Sequence, residues 1–445
     1  MNGAGAASAS RRAEIIAVGS ELLVPPRQDT NSLFITERLN DIGVEVGSRT
    51  IVGDDGASLA SVLRGALERA GIVVLCGGLG PTQDDLTRDV VAEVLGRPLE
   101  EDLAVLASIR QRFAARGARM PEINRRQAMV PKGASVMMNP SGTAPGLWIE
   151  DGGRLVVLLP GPPSELQPMF ERAVSERLGP SAGAERLHRR TIRICGRTES
   201  EVDEAASPIY RRWLSLDPPI TTTVLTAPGQ VELHLVVRVA DAETAQAILD
   251  RATAEMQRIF GEDVFSADGR TLERVVGDLL RERGWTIAVA ESCTGGLLSA
   301  RLTDVPGSSD YVSFNVVVYS NAAKIRELGV PVDVLAAGGA VSEEVACAMA
   351  DGVRRRAGAD LAVGVTGIAG PGGGSEAKPV GTTCIAVVTR DARLVRTFRF
   401  PGVRTRVRLF GAQLGLDLAR RIMIGCSPGG AFEIAGTRSP AADAR

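Results

Sequence analysis

Lysine is almost absent from this chain: Lys132, Lys324 and Lys378 stand against forty-eight arginines. Arginine can replace lysine where only a positive charge is needed, but not where the group must shed its proton or fit as a compact ammonium. The three survivors sit in QAMVPKG, YSNAAK and GGGSEAKPVG. Each is a candidate for chemistry that needs an amine, against the alternative of a leftover surface lysine. Histidine is scarcer still. There are only His188 and His234, and His234 lies in the alternating run VELHLVVRV, which reads as an outward strand position. A histidine-based triad or a multi-histidine metal site is nearly excluded. Chemistry here must run on carboxylates, serine or threonine hydroxyls, lysine, or a carboxylate-held metal.

The first stretch with chemical content is GGLGPTQDDLTRD, residues 77–89. It begins where an apolar strand ends and leads into a helix, which is where open α/β sheets bind ligands. Gly77, Gly78 and Gly80, with Thr82, would bring backbone N–H groups against phosphate oxygens at a helix N-terminus. Asp84 and Asp85 are adjacent carboxylates beside that site. Their repulsion toward phosphate is relieved if they hold Mg²⁺ or a similar hard divalent cation; the alternative is that one of them caps the helix. QDTNS supplies Asp29, Thr30 and Asn31 as caps or ligand contacts. Loops further on add Asn124, Lys132, Asn139, Thr143 and Glu165.

A second set lies near the C-terminus. AESCTGG contains Ser292, Cys293, Thr294, Gly295 and Gly296; PGSS contains Ser309; YSNAAK contains Tyr319, Asn321 and Lys324. The loop 367–381 holds six glycines, among them Gly367 and Gly370, and its backbone can wrap a ligand. Lys378 in that loop would meet a phosphate or the neighbouring Glu376. Arg404 and Arg408 are one helical turn apart and can form an anion clamp, the alternative being a solvated basic face.

These residues need elements to hold them. AEIIAV and IVVLC read as strands, the second buried because it lacks polar alternation. Strands alternating with amphipathic helices predict a doubly wound α/β domain over 13–180. Residues 186–266 read as a small α+β domain with a spacer or dimerisation role, and 271–424 as a second α/β domain in which TTCIAVV pairs with LVRTFRF. Residues 1–12 and 427–445 are expected to be disordered extensions. Net charge is −2, so electrostatics offer no case for direct nucleic-acid binding. No apolar run reaches the ~20 residues of a membrane span. Six cysteines without a CxxC pair predict a reducing cytoplasm rather than zinc or disulfides.

Taken in order, VGSELL, DTNS, GGLGPTQDDLT, NRRQAMVPKG, GTAPG and LPGPPSEL resemble the N-terminal domain of the CinA family (competence/damage-inducible protein A). AESCTGG, PGSS, VVYSNAAK, GAVSEE, GVTGIAGPGGGSEAKPVGT and FPGVRTRVR resemble its C-terminal domain. The resemblance runs from about residue 13 to 424. It implies a molybdopterin-binding-like α/β/α fold first, with cation-dependent cleavage of the ADP-ribose pyrophosphate. For the last domain it implies deamidation of nicotinamide mononucleotide, with no cofactor. It also implies small-molecule nucleotide partners and a homodimer. VPPRQDTN and Asn315-Val316 depart from the family pattern, the latter close to Tyr319. Two other classes stay open: a non-catalytic pterin or nucleotide binder, and an accessory protein in DNA uptake.

Amide hydrolysis needs a nucleophile, a base and an oxyanion site. With no histidine in this domain, Lys324 is the expected base. Ser309, in the loop before the strand that delivers Lys324, is the favoured nucleophile. Ser292 is the other candidate, or a substrate contact; either serine could instead be a turn or N-cap residue. Thr294, Gly295 and Gly296 suit either a phosphate or the oxyanion. Cys293 ranks low, because the usual cysteine arrangement needs a histidine.

Overall fold

The computed structural model describes residues 12–179 and 185–426; the tails expected to be disordered lie outside them, save Arg12. Contacts divide the chain into two compact units. One runs to His188 and includes Arg238–Ala242, and the other comprises Arg189–Val237 and the chain from Glu243.

The first unit is built on a six-stranded sheet. Its elements are β1 (Arg12–Val18), α1 (Asn31–Asp41), β2 (Glu45–Val52), α2 (Gly56–Arg69), β3 (Ile72–Cys76), α3 (Thr87–Val94), β4 (Leu99–Glu101), α4 (Leu103–Ala115), β5 (Met129–Pro131), β6 (Ser135–Met137), β7 (Gly146–Asp151), β8 (Arg154–Leu159) and α5 (Pro163–Ala173). Sheet order is β2-β1-β3-β8-β7-β6; the first four strands are parallel, and β7 runs antiparallel to both β8 and β6. Both faces are covered, so the central strands need apolar residues on each side. β1 turns Ala13, Ile15 and Ala17 toward α1 and α5, and Ile16 and Val18 toward α2 and α3. The chain leaves β1 for β2 on one side and returns to β3 on the other. That reversal opens a crevice at the carboxyl ends of β1 and β3.

The second unit holds two sheets. β9 (Arg186–Cys195), α6 (Glu199–Trp213), β10 (Ile220–Ala227), β11 (Gln230–Val239), α7 (Ala242–Phe260) and β12 (Val264–Ser266) come first. Their sheet order β10-β11-β9-β12 is the ferredoxin-like split β-α-β pattern. α8 (Leu272–Arg283), β13 (Ile287–Glu291), α9 (Leu297–Thr303), β14 (Val312–Val317), α10 (Asn321–Leu328), α11 (Val332–Gly338), α12 (Glu343–Ala357), β15 (Leu361–Gly367), β16 (Thr382–Val388), β17 (Arg393–Arg399) and α13 (Arg404–Ile424) follow. They form a sheet of order β14-β13-β15-β16-β17, with β14, β13 and β15 parallel and β16 antiparallel to β15 and β17. Ile287 and Val289 of β13 face α8, α9 and α13, while Ala288 and Ala290 face α12.

Buried charges join the two sheets of this unit. Arg421 on α13 bonds Asp417 at 2.7 Å and Asp263 at 2.7 Å, and Arg197 donates to Asp263 at 2.6 Å. Arg420 reaches the carbonyl of Glu262 at 2.7 Å. Removing one partner would strand a buried charge, so the pairs fix the register of α13 against the ferredoxin-like sheet.

Candidate active site

Strand β13 is buried along its whole length and ends at Glu291, so Ser292 emerges at the carboxyl end of the sheet. Lys324 comes from the first turns of α10, whose N-terminus is capped by the Ser320 hydroxyl accepting from Ala323 N–H at 3.1 Å. Helical side chains lean toward the helix N-terminus, and Lys324 folds back accordingly. Its Nζ lies 3.0 Å from Ser292 Oγ, 2.9 Å from the Val318 carbonyl and 3.3 Å from the Tyr319 carbonyl. Lys324 is 1% exposed and Ser292 8%. Burial holds the amine below its ordinary value of 10.5. As a neutral amine it has two N–H donors for the two carbonyls and one lone pair for the Ser292 hydroxyl. As an ammonium it donates one N–H to each of the three oxygens, Ser292 Oγ included; on losing a proton it can accept from that hydroxyl instead, as a base must.

The turn carrying Ser292 is braced from three sides. Ser292 N–H donates to Val365 O at 2.9 Å. Arg408 donates Nε and Nη2 to Thr294 O at 3.1 and 2.9 Å. The Glu291 carboxylate, fully buried, accepts from Gly296 N–H at 3.0 Å, Leu298 N–H at 3.1 Å and Ser299 N–H at 2.8 Å. Gly295 and Gly296 take φ of 61° and 92°, a region L side chains avoid. Gly295 N–H already donates to Ser292 O. The two glycine N–H groups are therefore committed, which corrects the expectation that they meet a phosphate or oxyanion. Among the described residues, Cys293 and Thr294 N–H have no carbonyl partner, and the buried Thr294 hydroxyl has none either. Cys293 is sealed in the core and burial raises its thiol to about 12, which keeps it protonated.

Ser309 is placed elsewhere. It lies in the turn before β14, and Val312 of β14 pairs with Ile287, the first residue of β13. Because the strands are parallel, Ser309 sits at the amino ends and Ser292 at the carboxyl ends, about 16 Å apart along the strand direction. Ser309 cannot be the nucleophile activated by Lys324. The rule that ligands sit at carboxyl ends of parallel strands was the signal that favoured Ser292.

Around the pair, Tyr319 is 60% exposed and its hydroxyl accepts from Arg404 Nη2 at 2.8 Å. Arg404 Nη1 also donates to Gly370 O at 2.9 Å, so Arg404 ties the Tyr319 loop to the glycine loop. Asn321 is exposed at the start of α10. Gly367 ends β15 where a Cβ would come within 2.8 Å of Thr383 Oγ1. Lys378 does not pair with the neighbouring Glu376 among the described residues. Its Nζ donates to Gly338 O and Val341 O, both at 2.6 Å, and pins the glycine loop to the turn before α12. Arg408 acts on the Ser292 turn rather than clamping an anion with Arg404. Of the departing pair on β14, Val316 packs into the core, and Asn315 Oδ1 is buried without a partner among the described residues.

The first unit has its own cleft, about 350 Å³, at the carboxyl ends of β1, β3 and β8. Gly77, Gly78, Gly80, Asp84, Asp85 and Thr143 line it, as expected, with Glu21, Asp54 and Glu165. Gly77 has φ 101°, and a Cβ there would lie 2.1 Å from Val18 O. Asn31 donates to Gly161 O at 2.7 Å. Arg88 is the residue sequence reasoning missed: 1% exposed, it donates to Leu79 O at 2.9 Å and holds the glycine loop from behind. Burial pulls it down to about 10. Lys132 instead pairs with Glu100 at 3.1 Å, both more than half exposed, and does not line the cleft.

Of the carboxylates lining this cleft, Glu21 and Asp84 are exposed beside it, and Asp85, Asp54 and Glu165 are engaged by protein donors. Asp85 accepts from Thr82 N–H at 2.9 Å and from the Thr82 hydroxyl, closing the turn. Asp54 accepts from Ser20 N–H and Glu165 from Asn139 Nδ2. No three His, Cys, Asp or Glu side chains come together as a ligand set among the described residues, and no step is derived through a metal. No described helix is long and apolar enough to cross a membrane.

Residues 269–423 match the family described as "CinA C-terminal domain" and residues 14–180 match "Probable molybdopterin binding domain". A CinA-like protein of Koribacter versatilis is 47% identical over 416 residues, covering 93% of this chain and 100% of the relative. A CinA-like protein of Solibacter usitatus is 44% identical, covering 93% and 98%. The crystal structure of competence/damage inducible protein CihA from Agrobacterium tumefaciens is 42% identical, covers 33% of this chain and 90% of that one, and superposes with a TM-score of 0.33.

Proposed function

The chain belongs to the CinA family, and we propose that its C-terminal sheet carries a serine–lysine amidohydrolase that converts nicotinamide mononucleotide to nicotinic acid mononucleotide and ammonia. The observation that carries this reading is the buried Lys324 amine 3.0 Å from Ser292 Oγ. The substrate's identity rests on the family resemblance.

Lys324, neutral, takes the proton of Ser292 as Oγ attacks the carboxamide carbon. The developing oxyanion is met by the N–H groups of Cys293 and Thr294, which follow the nucleophile in a turn braced by Glu291 and Arg408. Collapse breaks the C–N bond, and Lys324 returns the proton to the departing ammonia. A water then attacks the Ser292 ester, Lys324 again accepting and returning one proton, and the carboxylate product leaves. Arg404, exposed between Tyr319 and Gly370, is the cation placed to meet the nucleotide phosphate. Incubation with nicotinamide mononucleotide and measurement of ammonia tests the reaction; absence of ammonia overturns it.

A second reading concerns the first unit. Its cleft, with three glycines whose backbone can approach a ligand, supports binding of a nucleotide or pterin. Cleavage of ADP-ribose there requires a cation that the side chains do not preassemble. ADP-ribose that raises the melting temperature without product would mark the cleft as a binding module. Cation-dependent product would restore the pyrophosphatase reading.

A further inference from the structure

A second cavity, about 610 Å³ in volume, lies wholly within the first unit. That is the size range of small-molecule sites. It opens at the other end of the sheet from the glycine cleft. Gly71 and Ile72 stand at the start of β3, Arg154 and Leu155 at the start of β8, and Val44 just before β2, and all five line it. No lining residue is shared between the two. The parallel strands therefore carry a site at each end, separated by the length of β3, about 16 Å.

The floor of this cavity is apolar: Val44, Ile72, Trp148 and Leu178 are all buried. Trp148 supplies a flat element. The Arg177 guanidinium lies 5.1 Å from the centre of its ring, and its Nε1 donates to Glu150 Oε1 at 3.2 Å. An indole with a guanidinium beside it makes a surface suited to a planar ring. In the turn between β7 and β8, Gly152 and Gly153 leave the mouth unobstructed, since a Cβ at either would meet nothing within 4 Å.

Arg154, Arg177 and Arg238 line the cavity with Glu150, Asp151 and Glu185, and these charges are not equally available. Asp151 is paired at 3.0 Å with Arg97, which stands outside the lining. Glu150 is held by the Trp148 N–H. Arg238 donates to the Gly43 carbonyl at 2.7 Å and faces Glu45 at 3.9 Å. Arg154 is exposed and makes no ion pair among the described residues. With Arg97 counted, the balance favours one negative charge on a ligand, while three carboxylates in the wall oppose a doubly charged phosphate. A guanidinium fork matches a carboxylate through two N–H bonds. We propose that this cavity binds a small aromatic carboxylate, its ring on the Trp148–Arg177 surface and its carboxylate at Arg154.

Isothermal titration of the full chain with 2-naphthoate is expected to show saturable binding with a dissociation constant below about 1 mM. 2-Naphthylmethanol lacks the charge and 2-naphthylmethylamine reverses it; each should bind at least about fivefold more weakly. Arg154→Glu should weaken naphthoate binding by a similar factor and leave the melting temperature near the parent's, because Arg154 has no ion pair to lose. Arg154→Lys should keep most of the affinity. Absence of saturable binding overturns the proposal. So does an amine that binds as tightly as the carboxylate, a comparison on the parent chain that needs no variant to fold. Naphthoate binding unchanged in Arg154→Glu also overturns it. Displacement of naphthoate by ADP-ribose or nicotinamide mononucleotide would place the probe in a site already described, and overturns it as well.

Discussion

Lys324 Nζ sits 3.0 Å from Ser292 Oγ, and no carboxylate pairs with Lys324 among the described residues. An amine buried without a counter-charge is poised to be neutral, and a neutral amine is a base. An arginine in the same place would remain charged.

Lys324→Arg should therefore lose as much activity as Lys324→Ala, about 10²–10⁴-fold in kcat. Lys132→Arg should be silent, since Lys132 makes one exposed ion pair. Lys378→Ala should lower the melting temperature more than kcat, since its amine ties two backbone carbonyls. Ammonia release and thermal unfolding on the same preparations separate these outcomes.

The pH dependence follows from the direction of the shift. The folded-state value of Lys324 lies below 10.5, so between the two values the unfolded chain binds more protons and stability rises with pH. The contribution is complete above 10.5 and is lost as pH falls through the folded value. kcat should rise with pH through that same folded value, as the neutral amine forms. Relative to Lys324→Met, the parent's melting temperature should gain as pH rises.

Glu291 fixes the turn that presents Ser292. Glu291→Ala leaves three N–H groups without their buried acceptor and should cost about 3 kcal/mol or more. Glu291→Gln keeps one acceptor oxygen, and should lower kcat while leaving KM near the parent's value. Denaturant unfolding and steady-state kinetics read the two effects apart.

In the first unit, Asp85→Ala removes the acceptor for Thr82 and should destabilise the loop by about 1 kcal/mol. The loss should be the same with or without magnesium. A loss seen only with magnesium would make Asp85 a metal ligand.

Much of the architecture was legible in the pattern of residues. AEIIAV reads as a strand and IVVLC as a buried one, because both faces of a wound sheet demand apolar side chains. The rarity of lysine pointed to Lys324. The choice of serine was legible as well, because Ser292 follows one parallel strand and so emerges at its carboxyl end, where such sheets bind ligands, whereas Ser309 precedes the next. Ser309 precedes the strand that leads to Lys324, yet lies at the far end of the sheet. Lys378 looked like Lys324 in its motif; only the carbonyls of Gly338 and Val341, some forty residues away, show what it holds. Glu291 and Arg88 gave no signal beyond a charge beside a glycine turn, and the order of the ferredoxin-like sheet depends on pairings between distant strands.

The most direct test compares the two serines on nicotinamide mononucleotide. The parent chain and Ser309→Ala should release ammonia at similar rates, and Ser292→Ala should release none above background. Full activity in Ser292→Ala, or loss in Ser309→Ala alone, would contradict the account.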